Sequence, residues 1–369
     1  MFDHSDSLFR LVISSFVVSA GISIMIVLTQ AYHGKFTHDN RPGVQRFHDV
    51  PTPRVGGLAM LSALISGWLL VDNGVRHLLG FMLLAGIPAF GAGLLEDLTK
   101  EVTVGKRLIA TMLSGVIACV LLGYNLKSIG IPLFDPLLAI LPLSVAFTAF
   151  SVSGVANAIN IIDGFNGLAS GVLIICFSIF CIMAMHVGDV ELATLCILQI
   201  AVVLGFMVVN YPFGKIFMGD GGAYLMGFML AWTAVMLHVR NPEISVWAPV
   251  VVCGYPIIET LFSMVRRYWK SISPGSADSE HLHSLIKLRI VRRYFSRLPQ
   301  CLKNSLVAPF CWMLTLACAI PAIEFYQDTQ ILVLVFSGGC ILYGVIYRLI
   351  AHLDNAEVAT SKKLIRKDA

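Results

Sequence analysis

About eleven apolar stretches recur along this chain, each close to the roughly 20 residues that carry a helix across a hydrocarbon core about 30 Å thick. They fall near 11–32, 55–72, 78–95, 105–123, 136–156, 168–186, 191–209, 222–239, 244–265, 304–323 and 330–349. No water reaches backbone polar groups at that depth, so each stretch must close its own hydrogen bonds as a helix. Composition agrees: 57% of the 369 residues are hydrophobic and 13% charged, where a soluble domain carries about a quarter charged. The expectation is an all-α, polytopic integral membrane helical bundle, with residues 1–369 forming a single transmembrane domain. Polar loops are expected near 33–54, 96–107, 157–167, 210–221 and 266–303.

Orientation follows from the 26 Lys and Arg residues. With the N-terminus outside, the inner segments hold Lys35, Arg41, Arg46, Arg54, Lys100, Lys106, Arg107, Lys215, nine from Arg266 to Lys303 and five beyond Tyr347. That is 22 inside, against Arg10, Arg76, Lys127 and Arg240 outside. Cations concentrate in cytoplasmic loops, so the bias predicts a cytoplasmic C-terminus. The nine Cys lie almost entirely within spans and read as small apolar packing residues, with neither disulfides nor a structural metal expected. The first span lacks a small-residue cleavage site and is read as a retained helix. The net charge of +4 sits on the inner loops. It suits anionic headgroups and phosphate substrates, and no nucleic-acid-binding element is visible.

On this topology four polar islands share the inner face: GLLEDLTK at 93–100, NAINIIDGFNGLA at 157–169, FMGDGG at 217–222 and EHLHSL at 280–285. Ionisable groups at the ends of apolar spans are costly unless used, so their gathering on one face points to one site. Glu96 and Asp97 follow an apolar helix with Lys100 one turn on, a pattern that fits a divalent cation, a base or a plain solvated helix end. Lys100, Lys106 and Arg107 can meet phosphate oxygens. Asn157, Asn160 and Asp163 repeat every three residues on one helix face, before Gly164 and Gly167 permit a break. Backbone broken at membrane depth is tolerated where it lines protein or a water-filled cavity. Asp220 sits on a glycine-rich turn opening a helix, either as a cap or as a hard oxygen for magnesium. His281 and His283 lie in the largest basic loop, suited to phosphate contact or proton transfer. The loop carrying Arg46, His48, Asp49 and Arg54 has two prolines and suits a lid, an anion contact or a plain stiff connector.

Together, the acidic pair, then Asn-x-x-Asn-x-x-Asp-Gly-x-Asn-Gly, then Gly-Asp, then His-x-His resemble the polyprenyl-phosphate N-acetylhexosamine-1-phosphate transferases over nearly the whole chain. The likeness is greatest to the branch that starts bacterial surface polysaccharides. It implies a multi-pass enzyme of the bacterial inner membrane that transfers N-acetylhexosamine-1-phosphate from a UDP-N-acetylhexosamine to undecaprenyl phosphate and releases UMP. By position it implies that Asp97 stands beside the lipid phosphate and the metal, and that Asp220 and Asn160 help bind magnesium, with manganese able to substitute. Lys106 would meet the diphosphate; Asp163, Asn166 and Asn210 would line the nucleotide pocket; His281 and His283 would stand over the phosphates. Asn157, Lys100 and Arg54 are further substrate-binding candidates, Glu96, Asp97 and Asp163 the catalytic ones, and a homodimer is an expectation of the resemblance. Two positions depart from the family pattern: Glu96 stands where many members have Asp, and Ser284 where several have a further His. The competing classes are a transporter, which should carry acids near mid-span, and a non-catalytic lipid-binding relative.

Overall fold

The computed structural model describes residues 2–37, 51–271 and 278–365; Arg46, His48 and Asp49 of the early loop lie outside them. The described residues form helices α1 (Phe2–Leu28), α2 (Gln30–Thr37), α3 (Gly56–Leu70), α4 (Asn73–Thr99), α5 (Val104–Leu122), α6 (Asp135–Leu138), α7 (Leu141–Ile162), α8 (Leu168–His186) and α9 (Val190–Asn210). They continue as α10 (Gly219–Arg240), α11 (Trp247–Val252), α12 (Gly254–Trp269), α13 (Leu282–Leu285), a π-helical turn (Ile286–Val291), α14 (Arg292–Tyr294), α15 (Gln300–Ser305), α16 (Val307–Glu324) and α17 (Thr329–Ile365). Nine stretches of helix among the described residues are long and apolar enough to cross a membrane. The other two expected spans are present in altered form. The second is the shorter apolar helix α3, and the ninth is split into α11 and α12.

That split has a local cause. Pro256 has no amide hydrogen to offer the carbonyl four residues back, so the helical ladder loses its bond at Val252, where α11 ends. The freed Val252 carbonyl accepts instead from the Cys176 thiol at 3.6 Å. A second proline, Pro88, lies inside α4 without breaking it, and the following amide, that of Ala89, donates to Ser114 Oγ on α5 at 3.0 Å.

Helix α10 is the axis of the bundle. It packs against α3, α4, α5, α7, α8 and α9, and nearly every residue from Gly219 to Leu237 is buried, including Tyr224, Phe228 and Trp232. Lipid tails are as apolar as leucine, so burial alone cannot assemble such a bundle; close backbone approach through small residues does much of that work. Gly57 of α3 lies against the backbone of Gly222, and Gly93 of α4 lies against the backbone of Asp220 and Gly221. A side chain at either place would land on α10 itself. At the opposite end of α10, Arg240 forks onto Asp189 at 2.7 and 2.8 Å and reaches Glu191 at 3.0 Å, tying the ends of α9 and α10 together.

Candidate functional site

The first turn of α10 is where the polar islands meet. Pro53 and Arg54 run beside Phe217 and Met218: the Phe217 amide donates to the Pro53 carbonyl at 2.9 Å, and the Gly56 and Gly57 amides donate to the Phe217 and Met218 carbonyls at 3.0 Å each. This brings the early loop onto the mouth of α10. Gly219 turns the chain into the helix at φ +73°, with the Arg54 carbonyl and an Asp97 oxygen where a Cβ would stand, so only glycine fits there.

Asp97, 1% exposed at the end of α4, caps this turn. Its Oδ1 accepts the Asp220 amide at 3.0 Å and its Oδ2 the Gly221 amide at 2.8 Å. A helix N-terminus carries unsatisfied amides and partial positive charge, and a carboxylate from a second helix is a good partner for both. Its neighbours hold the same corner. Glu96 Oε2 accepts the Val102 amide at 2.8 Å, and Lys100, in the left-handed conformation at φ 59°, donates from Nζ to the Asp97 carbonyl at 2.8 Å.

Asp220 faces the other way, into a cluster of cations and amides. Arg107 donates to its Oδ2, Asn160 Nδ2 donates to its Oδ1 at 3.1 Å, and Arg54 Nη2 stands 3.6 Å from the same oxygen. The Arg107 guanidinium also lies 5.9 Å from the Tyr224 ring centroid. The Tyr224 hydroxyl donates to Asn160 Oδ1 at 3.2 Å and lies 3.4 Å from Asn157 Oδ1, so the expected amide ladder on α7 is present and faces α10. Lys106, by contrast, is exposed; the cation that enters the cluster is its neighbour Arg107. The register decides this: Thr103 caps α5 through the Lys106 amide, which turns residue 107 toward the bundle and residue 106 away from it.

Asp163 ends α7, half-buried, and unlike Glu96, Asp97 and Asp220 its carboxylate accepts no hydrogen bond from a described residue. Burial pushes its pKa up to about 7, opposed by Arg54 and reinforced by Asp220 and Asp97, so it stands within electrostatic reach of the cluster. The next two asparagines do not line an open cavity. Asn166 is fully buried and donates to the Pro212 and Cys301 carbonyls at 3.0 and 3.3 Å. Asn210 accepts the Gly167 amide and donates to the Ile216 carbonyl, both at 2.7 Å. These two residues shape the turns at 163–167 and 211–218 from behind.

His281 and His283 complete the corner. Their rings stack 5.2 Å apart at 11°, and His283 meets Phe165 edge-on at 5.6 Å, next to the turn that carries Asp163. Burial lowers the His283 pKa to about 4, which keeps that ring neutral at physiological pH. The partner that organises the pair is Glu259 of α12, whose Oε1 lies 2.9 Å from His281 Nδ1. Sequence reasoning missed Glu259, although a lone acid within an otherwise apolar span was signal enough.

Among the described residues no three His, Cys, Asp or Glu side chains form a ready-made cation cage. Magnesium characteristically takes one or two protein carboxylates and completes its shell with water and substrate phosphate. Asp220, with the uncommitted Asp163 nearby, supplies that number, and Arg54 and Arg107 supply charge for phosphate oxygens.

Residues 79–238 match glycosyl transferase family 4, a range running from α4 to the end of α10 and including every carboxylate of the cluster. Similarities over two thirds to three quarters of the chain point the same way. The undecaprenyl-phosphate alpha-N-acetylglucosaminyl 1-phosphate transferase of Yersinia pestis is 28% identical over 257 residues, 67% of this chain and 68% of that protein. The same-named protein of Escherichia coli K12 is 27% identical over 256 residues, 67% and 68% of the two chains. The probable undecaprenyl-phosphate N-acetylglucosaminyl 1-phosphate transferase of Bacillus subtilis is 26% identical over 279 residues, 75% and 77%.

Proposed function

We propose that the chain is a polyprenyl-phosphate N-acetylhexosamine-1-phosphate transferase of glycosyl transferase family 4, which transfers N-acetylhexosamine-1-phosphate from a UDP-sugar to undecaprenyl phosphate. The observation that carries the reading is the meeting of Arg54, Arg107, Asn160 and Asp220 at the N-terminus of α10. Two guanidiniums gathered at the first turn of α10 suit a diphosphate. In the proposed reaction a lipid-phosphate oxygen attacks the β-phosphorus, the bond from that phosphorus to the bridging oxygen breaks, and UMP departs with that oxygen. The product, a lipid-diphosphate-sugar, would begin a cell-surface polysaccharide.

Such a transfer depends on positioning and on neutralising charge about phosphorus. Arg54 and Arg107 would pass from Asp220 to phosphate oxygens as the donor enters. Asp220 and Asn160 would then hold magnesium, which when bound polarises the diphosphate and offsets its charge. Asp97 acts here through the fold, pinning the first turn of α10 so that Asp220 points into the cluster. Asp163, whose carboxylate accepts no hydrogen bond from a described residue, is the carboxylate available to orient or deprotonate the lipid phosphate. Asn166 and Asn210 shape the nucleotide side through the turns they hold.

The surplus of cations at this end of the bundle supports a site on the cytoplasmic face of a bacterial inner membrane. Purified protein given undecaprenyl phosphate and a panel of UDP-N-acetylhexosamines, with magnesium present or chelated, tests the reading. Magnesium-dependent release of UMP with at least one donor is expected; release of UDP, or none from any donor, would refute it.

A further inference from the structure

Glu259 is 1% exposed within the broken ninth span, and a buried carboxylate is costly unless its oxygens are paired. Its Oε1 accepts from His281 Nδ1 at 2.9 Å and from the Leu282 amide at 3.2 Å. Its Oε2 is buried and makes no hydrogen bond of ordinary geometry; the buried Tyr343 hydroxyl stands against the same carboxylate, and His283 Nδ1, also without a hydrogen bond, is 3.9 Å from Oε2. The imidazole is thus an unsatisfied group of complementary chemistry beside a buried carboxylate, at present beyond hydrogen-bond reach. The far edge of His283 faces the site: a Cβ on Gly164 would lie 3.4 Å from His283 Nε2. His281 braces the ring by stacking on it, and its own Nε2 lies 3.5 Å from Asp278 Oδ2.

We propose that Glu259 is the positioning residue for the histidine pair: its two oxygens hold the Nδ1 edges of His281 and His283, and so turn the Nε2 edge of His283 toward the Asp163 turn. A carboxylate behind an imidazole places the ring proton on Nδ1 and leaves Nε2 as an acceptor, the same logic by which outer carboxylates orient histidine ligands. The contact to His283 closes when the ring moves toward Oε2. Glu259 touches no substrate in this account and acts only through the histidines. The inference rests on the reading that places the pair at the diphosphate.

The test compares full-length protein with Glu259→Gln, Glu259→Asp, His283→Ala and the Glu259→Gln/His283→Ala double variant. Melting temperature and kcat and KM for each substrate are measured, and the histidine-15N-labelled wild type is examined by NMR. Glu259→Gln should lower kcat roughly 10- to 100-fold, the range seen when outer carboxylates behind histidine ligands are removed, with the KM for undecaprenyl phosphate unchanged. Glu259→Asp should recover part of the loss, and the loss in the double variant should be smaller than the two single losses combined, because part of the effect of Glu259 runs through His283. Wild-type kcat in Glu259→Gln, or fully additive losses in the double variant, would overturn the proposal. Should the Gln variant not fold, the wild-type spectra decide: both rings should carry a proton on Nδ1, and a bare Nδ1 on either contradicts it. His283→Ala at full turnover would instead refute the placement of the pair at the diphosphate, while the spectra would still test the hold of Glu259 on the rings.

Discussion

At the scale of single residues, the site is decided by which of two adjacent cations turns inward. Lys106 and Arg107 are equivalent in composition, and either could meet a phosphate; the Thr103 cap sets the phase of α5 and sends Arg107 to Asp220. Arg107→Ala should therefore cut UMP release by roughly 100-fold or more, the effect of removing one preorganised donor to a developing charge, whereas Lys106→Ala should stay within a few-fold of wild type. Equal losses at both positions would contradict the assignment. His283 gives a second prediction, read in stability. Its folded pKa, about 4, lies below its ordinary 6.5. Between those values the unfolded chain binds more protons than the folded one, so stability rises with pH across that window and is lost as pH falls through it. Melting curves in detergent from pH 4 to 7 should show this slope, and His283→Gln should flatten it. Asp97, Asn160, Asp163 and Asp220 were legible in the sequence because polar residues at the ends of apolar spans are conspicuous. Glu259 was visible as a lone acid in an apolar span, but its role was not, because its partners lie in a loop more than twenty positions away.

At the scale of elements, the site depends on how closely three helices approach. The Gly57 position against Gly222 and the Gly93 position against Asp220 leave no room for a side chain. Gly57→Ala should cost about 1–3 kcal/mol through overpacking and displace Arg54 from Asp220, so melting temperature and activity should fall together. The same coupling is expected at Asp97. Asp97→Asn weakens the cap on two buried amides, at about 1–3 kcal/mol, so its loss of activity should come with a lower melting temperature. An inactive Asp97→Asn protein of unchanged stability would show a direct chemical role instead. Hydropathy located every long span, since 20 apolar residues are a strong signal. It did not reveal the interruption after Val252: the prolines at 249 and 256 are visible, but a proline does not always break a helix, as Pro88 within the continuous α4 shows.

At the scale of the molecule, the chain crosses the membrane many times, and the polar islands meet at one end while Lys127 and the Asp189–Arg240 tie occupy the other. That common end was legible only through the alternation of span directions, which no single motif carries. In a background free of the nine native cysteines, Lys127→Cys should react with an impermeant thiol reagent on intact cells and Lys106→Cys should not; the reverse pattern would invert the topology. The central claim concerns the bond that breaks. Charges gathered around phosphorus predict phosphoryl transfer, whereas sugar transfer would leave both phosphates on the nucleotide. The most direct measurement follows a UDP-N-acetylhexosamine labelled at the β-phosphate, incubated with undecaprenyl phosphate and magnesium. The account predicts label in the lipid fraction and unlabelled UMP in the aqueous one; lipid that gains sugar while the label stays in UDP would contradict it.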